Sequence, residues 1–167
     1  FTESSLLVNN DFTVSAGTVT LPANGTTTIT GSFDATGGAF AHNNGVLYFN
    51  SAGAETITFD GGLFTNVAHN MTFNGGGSWT VTDTNATTTD DIRVEQGTLN
   101  LPSGIMAIGG TIIDEGGTFV GGTGTLLFYS GLAEVITAGG SSFNDVEFNG
   151  AGSWSFTDSN VDANGDL

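Results

Sequence analysis

The chain carries one long phrase twice. Gly77-Ser78-Trp79-Thr80-Val81-Thr82-Asp83 returns as Gly152-Ser153-Trp154-Ser155-Phe156-Thr157-Asp158, and the opening Phe1-Thr2-Glu3 matches the end of that phrase. A unit of roughly 75 to 80 residues repeated in phase restricts the fold severely, because each copy must offer its neighbours the same surfaces. The expectation is a stretch of a longer or end-to-end array. Its first unit covers residues 1–80, its second 81–155, and a third begins at 156–167 in the phase of 1–12.

Between these phrases the copies align closely. Asn10-Asp11-Phe12 matches Asp90-Asp91-Ile92, Gly17-Thr18-Val19 matches Gly97-Thr98-Leu99, and Gly37-Gly38-Ala39-Phe40 matches Gly116-Gly117-Thr118-Phe119. Leu47-Tyr48-Phe49 then pairs with Leu126-Leu127-Phe128, Ala54-Glu55 with Ala133-Glu134, and Met71-Thr72-Phe73 with Val146-Glu147-Phe148. The first copy spends a few extra residues around Val67-Ala68-His69-Asn70, which places a loop there.

Nothing has helical periodicity. Apolar residues alternate with Thr and Ser, as in Thr18-Val19-Thr20-Leu21, Thr56-Ile57-Thr58-Phe59 and Trp79-Thr80-Val81-Thr82, and Gly or Asn-Gly breaks follow every four to six residues or so. The predicted class is all-β. Dividing each unit at its turn signals gives about four rungs of roughly 20 residues, the length of one coil of a parallel β-helix, and about eight rungs make a rod near 40 Å long. Stacking of Phe40 with Phe49, and of Phe119 with Phe128, is expected to fill the interior. Two tandem antiparallel β-sandwiches are the alternative, since they also use short, regularly spaced strands.

Charge narrows the partners. One Lys or Arg faces 17 Asp and Glu, for a net charge of −16. A chain with Arg93 as its sole cation cannot neutralise a nucleic-acid backbone, and an anionic membrane surface repels it. Neither nucleic acid nor membrane insertion is expected. Hydrophobic residues at 38%, with 13 Phe, are enough for a continuous core. Cysteine is absent, so disulfides play no part.

The phrases at 77–83, 97–104 (GTLNLPSG) and 148–154 (FNGAGSW) resemble the tandem β-solenoid repeats of large bacterial secreted and cell-surface proteins. That resemblance covers essentially the whole chain. It implies an extracellular or cell-surface location and a stalk, adhesin shaft or fibre subunit.

Acidic residues form the sharpest constellation. Glu3, Asp83 and Asp158 share one phase of the repeat, and Asp11, Asp91 and Asp166 another. The run from Asp158 through Asn160 and Asp162 to Asp166 alternates oxygen donors as calcium loops do, although it lacks the glycine and the bidentate Glu of a full loop. Calcium is the one cofactor considered; the competing reading is loop acids that form Asx turns and cap strand ends. Asn24, Asn70 and Asn85 head Asn-x-Thr sequons and are candidate glycosylation sites.

Trp79 and Trp154 are expected to plug the core at the repeat boundary rather than serve as sugar-stacking platforms. Paired threonines such as Thr56 and Thr58 suggest a solvent-facing β surface, since the second copy breaks the register that a flat threonine array needs. His42 and His69 lack counterparts in the second copy, which argues against a repeated metal site. Arg93 is expected to pair with Glu95 or Asp91. No nucleophile with a nearby base, phosphate loop or histidine cluster is evident, so an enzyme is not expected. The favoured function is a structural subunit or segment of an extracellular filament or stalk, partnered by itself through end-to-end strand pairing. The alternative is an adhesin shaft or carbohydrate-binding module that engages surface glycans.

Overall fold

The computed structural model describes residues 3–60, 63 and 65–166. The chain winds as a parallel β-helix whose turns each have three sides. The first turn comprises β1 (Ser5–Val8), β2 (Phe12–Thr13) and β3 (Thr18–Thr20); the second comprises β4 (Thr26–Ile29), β5 (Phe33–Asp34) and β6 (Ala39–Ala41). The third has β7 (Val46–Phe49) and β8 (Ala54–Thr58), with Ala68 bridged to Thr88 on its third side. In the fourth, β9 (Asn70–Val81) runs over two sides and β10 (Ala86–Thr88) forms the third. The fifth repeats that plan with β11 (Ile92–Asn100) and β12 (Ile105–Ile108). The sixth holds β13 (Ile112–Asp114), β14 (Thr118–Val120) and β15 (Thr125–Phe128). β16 (Ala133–Ile136), β17 (Ser142–Phe143) and β18 (Asp145–Phe148) make the seventh, and β19 (Ser153–Phe156) and β20 (Asp162–Ala163) the last.

The ladders fix the rung length. Ser5 pairs with Thr26, Thr26 with Val46 and Ile92 with Ile112, steps of 20 or 21 residues, stretched to 24 between Val46 and Asn70 and between Ile113 and Thr137. Every strand pair among the described residues is parallel, which removes the antiparallel sandwich. The expected 20-residue rung is therefore the unit of the fold.

Period-two patterning selects the inward residues. Along β7 and β15 burial alternates, so that Leu47, Phe49, Leu126 and Phe128 point inward. Leucine and phenylalanine fill the bore because each buried large apolar side chain contributes about 1.5–3 kcal/mol. Aromatic rings then stack along the axis: Phe49 on Phe73 at 5.0 Å and 8°, and Phe128 on Phe148 at 5.3 Å and 13°. The expected stacks of Phe40 with Phe49 and of Phe119 with Phe128 are corrected by this geometry. Members of those pairs occupy different sides of the coil. Phe40 packs on Phe33 and Phe59, and Phe119 on Phe143.

The sequence repeat and the turns of the coil do not keep step. β1 lies on the first side of the first turn, whereas its sequence counterpart, β10, lies on the third side of the fourth. Four turns hold twelve sides, and first to twelfth is eleven steps, or three turns and two sides. The same displacement recurs throughout: β7 occupies the first side and its counterpart β15 the third, while β8 occupies the second and its counterpart β16 the first. The second copy is thus the first copy advanced along the rod and turned by one side.

Candidate functional site

The recurring acids sit where the chain turns from one side to the next. At such corners the backbone leaves the ladder, and its N–H groups need other acceptors. Asp11 Oδ1 accepts the N–H of Ser32 at 2.9 Å, and its counterpart Asp91 accepts the N–H of Thr111 at 2.9 Å. In the other phase, Asp83 accepts from Phe59 at 2.7 Å, and Asp158 from Ala138 at 2.6 Å and Gly139 at 3.0 Å. One phase thus fastens the following turn and the other the preceding turn. A carboxylate in this role gives a charge-assisted hydrogen bond, stronger than a neutral one.

Of the remaining candidate calcium ligands, Glu3, Asn160, Asp162 and Asp166 are exposed. The backbone of Asp166 is engaged on both sides: its carbonyl accepts from Val146 at 3.0 Å, and its N–H donates to Asp145 Oδ1 at 2.8 Å. Among the described residues no three His, Cys, Asp or Glu side chains are grouped to hold a metal ion. The acids are distributed along the rod, one corner at a time.

Burial raises the pKa of Asp91 above its ordinary value, and the Asp90 and Glu134 carboxylates add to that, against the lowering effects of the Thr111 N–H and of Arg93. Asp34 is shifted the other way by hydrogen bonds from Thr36. Arg93 itself pairs with Glu115, which corrects the expected partners Glu95 and Asp91. Its ladder neighbour is Ile113, so Glu115 on the next turn lies within its reach, while Glu95 receives the amide of Asn74 instead.

The sequons differ in what their amides do. Asn70 Oδ1 accepts from Asp91 N at 2.9 Å and Asn85 Oδ1 from Ile105 N at 2.8 Å, so both fasten one turn to the next. Asn24 is exposed, at φ 50° in a turn. The His42 and His69 rings stack at 5.3 Å, and burial, followed by repulsion from His69, holds the His42 pKa low.

The two tryptophans share one setting and differ in cover. Trp79 packs on Phe73 at 5.2 Å, and Trp154 on Phe148 at 5.1 Å. Both indole N–H groups are buried without a hydrogen-bond partner. Trp79 is wholly buried beneath β11, opposite Leu99. Trp154 lies in the last turn and is half-buried, beside Phe156, which is 40% exposed.

A cleft of about 440 Å³ opens between β14 and β17, lined by Val120, Gly121, Ser142, Asn144 and Asn164 among others, with no charged side chain. It lies where the second copy is shorter: Met71 follows Ile57 by fourteen positions, but Val146 follows the equivalent Ile136 by ten. Ser141 spans the gap, its hydroxyl accepting the N–H of Phe119 at 3.0 Å. In the first copy, Asn66 ties the longer connection to its neighbours by donating to the carbonyls of Gly38 and Phe59. In the sequence a deletion in one copy shows only as an alignment gap, which gives no sign of a cleft.

No protein-family model, no curated protein and no solved structure matches the chain.

Proposed function

We propose that the chain is a structural, non-catalytic segment of an extracellular fibre or surface stalk, and that its partner is itself, joined end to end through strand pairing at the repeat seam. One observation carries this reading: at the repeat seam β9 and β11 already pair one copy to the next along two sides of the coil, Ile92 with Met71, Val94 with Phe73 and Leu99 with Trp79. A parallel β-helix is stiff because ladder hydrogen bonds run along its axis. The resemblance to repeats of secreted bacterial proteins, and a composition with one cation, support a location outside the cell.

Electron microscopy of the purified chain, with and without chelator, tests the reading. Filaments are the expected result, and monodisperse short rods at every concentration would contradict it. Dissolution in chelator would assign the exposed acids Asp162 and Asp166 to calcium; persistence would leave them as solvated loop acids. Immunogold labelling of source cells tests the location.

The uncharged cleft between β14 and β17 favours a second reading, a module that binds a neutral saccharide. Trp79 has no part in it, being buried. Glycan-array binding that is lost in Asn144→Ala with unchanged melting would support this alternative.

A further inference from the structure

An imidazole closes one corner of the coil. Between β6 and β7 the chain turns through Asn43 and Asn44, both in the left-handed region at φ 49° and 58°. That region is disfavoured for residues with a side chain, and asparagine visits it only with local hydrogen bonds to help. Two bonds close this turn: the Gly45 N–H donates to the His42 carbonyl at 2.8 Å, and the Asn44 N–H donates to His42 Nδ1 at 2.9 Å. A ring nitrogen accepts only while it carries no proton, so the geometry fixes His42 as the neutral imidazole with its hydrogen on Nε2. The second copy builds the same corner without a ring. Gly121 and Gly122 stand where His42 and Asn43 do, Gly122 takes φ +60°, and the Gly124 N–H donates to the Gly121 carbonyl at 3.4 Å.

The ring is also stacked. His69, from the next corner along the rod, lies on it at 5.3 Å with 18° between the planes, and both rings are half-buried. His69 is held in turn from the corner beyond: Nδ1 is 3.0 Å from Thr89 Oγ1, Nε2 is 3.4 Å from Asp90 Oδ2, and the Asp90 N–H donates to the His69 carbonyl at 3.1 Å. The Asn70 amide donates to the same Asp90 oxygen at 3.0 Å. The corner on the other side of His42, residues 22–25, carries no charged side chain, and Asp91 Oδ1 is committed to the Thr111 N–H. A proton on His69 thus meets a carboxylate, whereas among the described residues a proton on His42 meets only the His69 ring.

We infer that the His42–His69 stack is an acid-sensitive fastening: neutral, it holds the corner between the second and third turns, and protonation of His42 releases it. The added proton binds Nδ1, the one ring nitrogen with a lone pair, and so faces the Asn44 N–H. The acceptor is lost and the Asn44 N–H is left without a partner in a left-handed turn. With His69 also charged, the stacked rings repel. Burial first, and His69 second, hold the His42 pKa below its ordinary 6.5, so the unfolded chain takes up this proton at higher pH than the folded one does. The stability contributed by the neutral ring is therefore full above 6.5, and is lost as pH falls through that value toward the lowered folded one.

The chain has two histidines, so NMR titration of the imidazole protons follows each separately. His42 is expected to titrate below 6.5, and to move upward in His69→Asn, which removes the stacked neighbour. As pH falls from 8 to 5.5, the Asn44 and Gly45 amides should lose exchange protection relative to Thr123 and Gly124 in the ring-free corner. His42→Asn gives the second arm: its Oδ1 accepts the Asn44 N–H as an Asx turn and does not titrate. Over the same range the melting temperature of the unmodified chain should fall relative to that of His42→Asn. A His42 pKa at or above 6.5, protection at Asn44 that holds in acid, or one pH dependence of melting shared by both chains would overturn the assignment.

Discussion

Asp83 Oδ2 accepts the N–H of Phe59 at 2.7 Å, and so holds a corner of the third turn from the fourth. The bond recurs in the second copy between Asp158 and Ala138, three turns and two sides further along the coil. Conserving an acid in one phase of the repeat therefore conserves a fastening between turns, and the surface charge follows from it. Other fastenings recur with it: Ser51 donates to Glu55 at 2.7 Å, and Ser130 to Glu134 at 2.6 Å.

Asp83→Ala leaves the Phe59 N–H without its acceptor and should destabilise the rod by about 1–3 kcal/mol, the cost of an unsatisfied donor. Asp83→Asn retains a carbonyl oxygen and should recover most of that loss. Thermal melting of the two variants checks this; equal melting of Asp83→Ala and the unmodified chain would remove the fastening role.

Asp91 carries the opposite electrostatic balance. Its folded pKa is raised, chiefly by burial, so the unfolded chain gives up this proton at lower pH than the folded one does. The site therefore favours folding most below the ordinary value of 3.8, and loses that favour as pH rises through the raised folded pKa. Asp91→Asn keeps an oxygen for the Thr111 N–H and has no charge to bury. It should melt higher than the unmodified chain at pH 7, with the difference shrinking toward pH 3. A lower melting temperature at pH 7 would contradict the assignment.

Trp79 and Trp154 separate burial from sequence context. Trp79→Ala should cost about 3–5 kcal/mol, as truncation of a fully buried aromatic does, and Trp154→Ala clearly less, because its ring is half-covered. Trp79→Phe should cost much less than Trp79→Ala, since the indole N–H has no hydrogen bond to lose. Denaturant melts of dilute samples compare the three.

Much of this was legible in the residues. Alternation in stretches such as Thr56-Ile57-Thr58 fixes strand faces, and Gly or Asn at the corners fixes rung length, so the coil and its parallel ladders follow from short-range chemistry. The advance of three turns and two sides per repeat was not legible: it depends on how many corners fall within a repeat, and strands such as β9 and β11 run through a corner without a break in strand structure. The acids were visible as a phase, but their partners lie about 20 residues away on another turn, as with Asp91 and Thr111. For the same reason sequence proximity points Arg93 to Glu95 or Asp91, whereas the coil brings Glu115 to it from the next turn.

Glycine at two equivalent positions separates strain from close approach. Gly17 and Gly97 both hold positive φ, so alanine at either site carries a backbone cost of about 1–2 kcal/mol. At Gly17 that cost stands alone, because a Cβ would project into open space. At Gly97 the Cβ would also lie 2.4 Å from two backbone carbonyl oxygens that cannot withdraw without opening the β9–β11 ladder. Gly97→Ala should therefore melt well below Gly17→Ala, and asparagine, which relieves the strain but not the contact, should rescue position 17 only. Equal losses at both positions would mean that the backbone conformation alone demands glycine and that the seam tolerates a wider crossing.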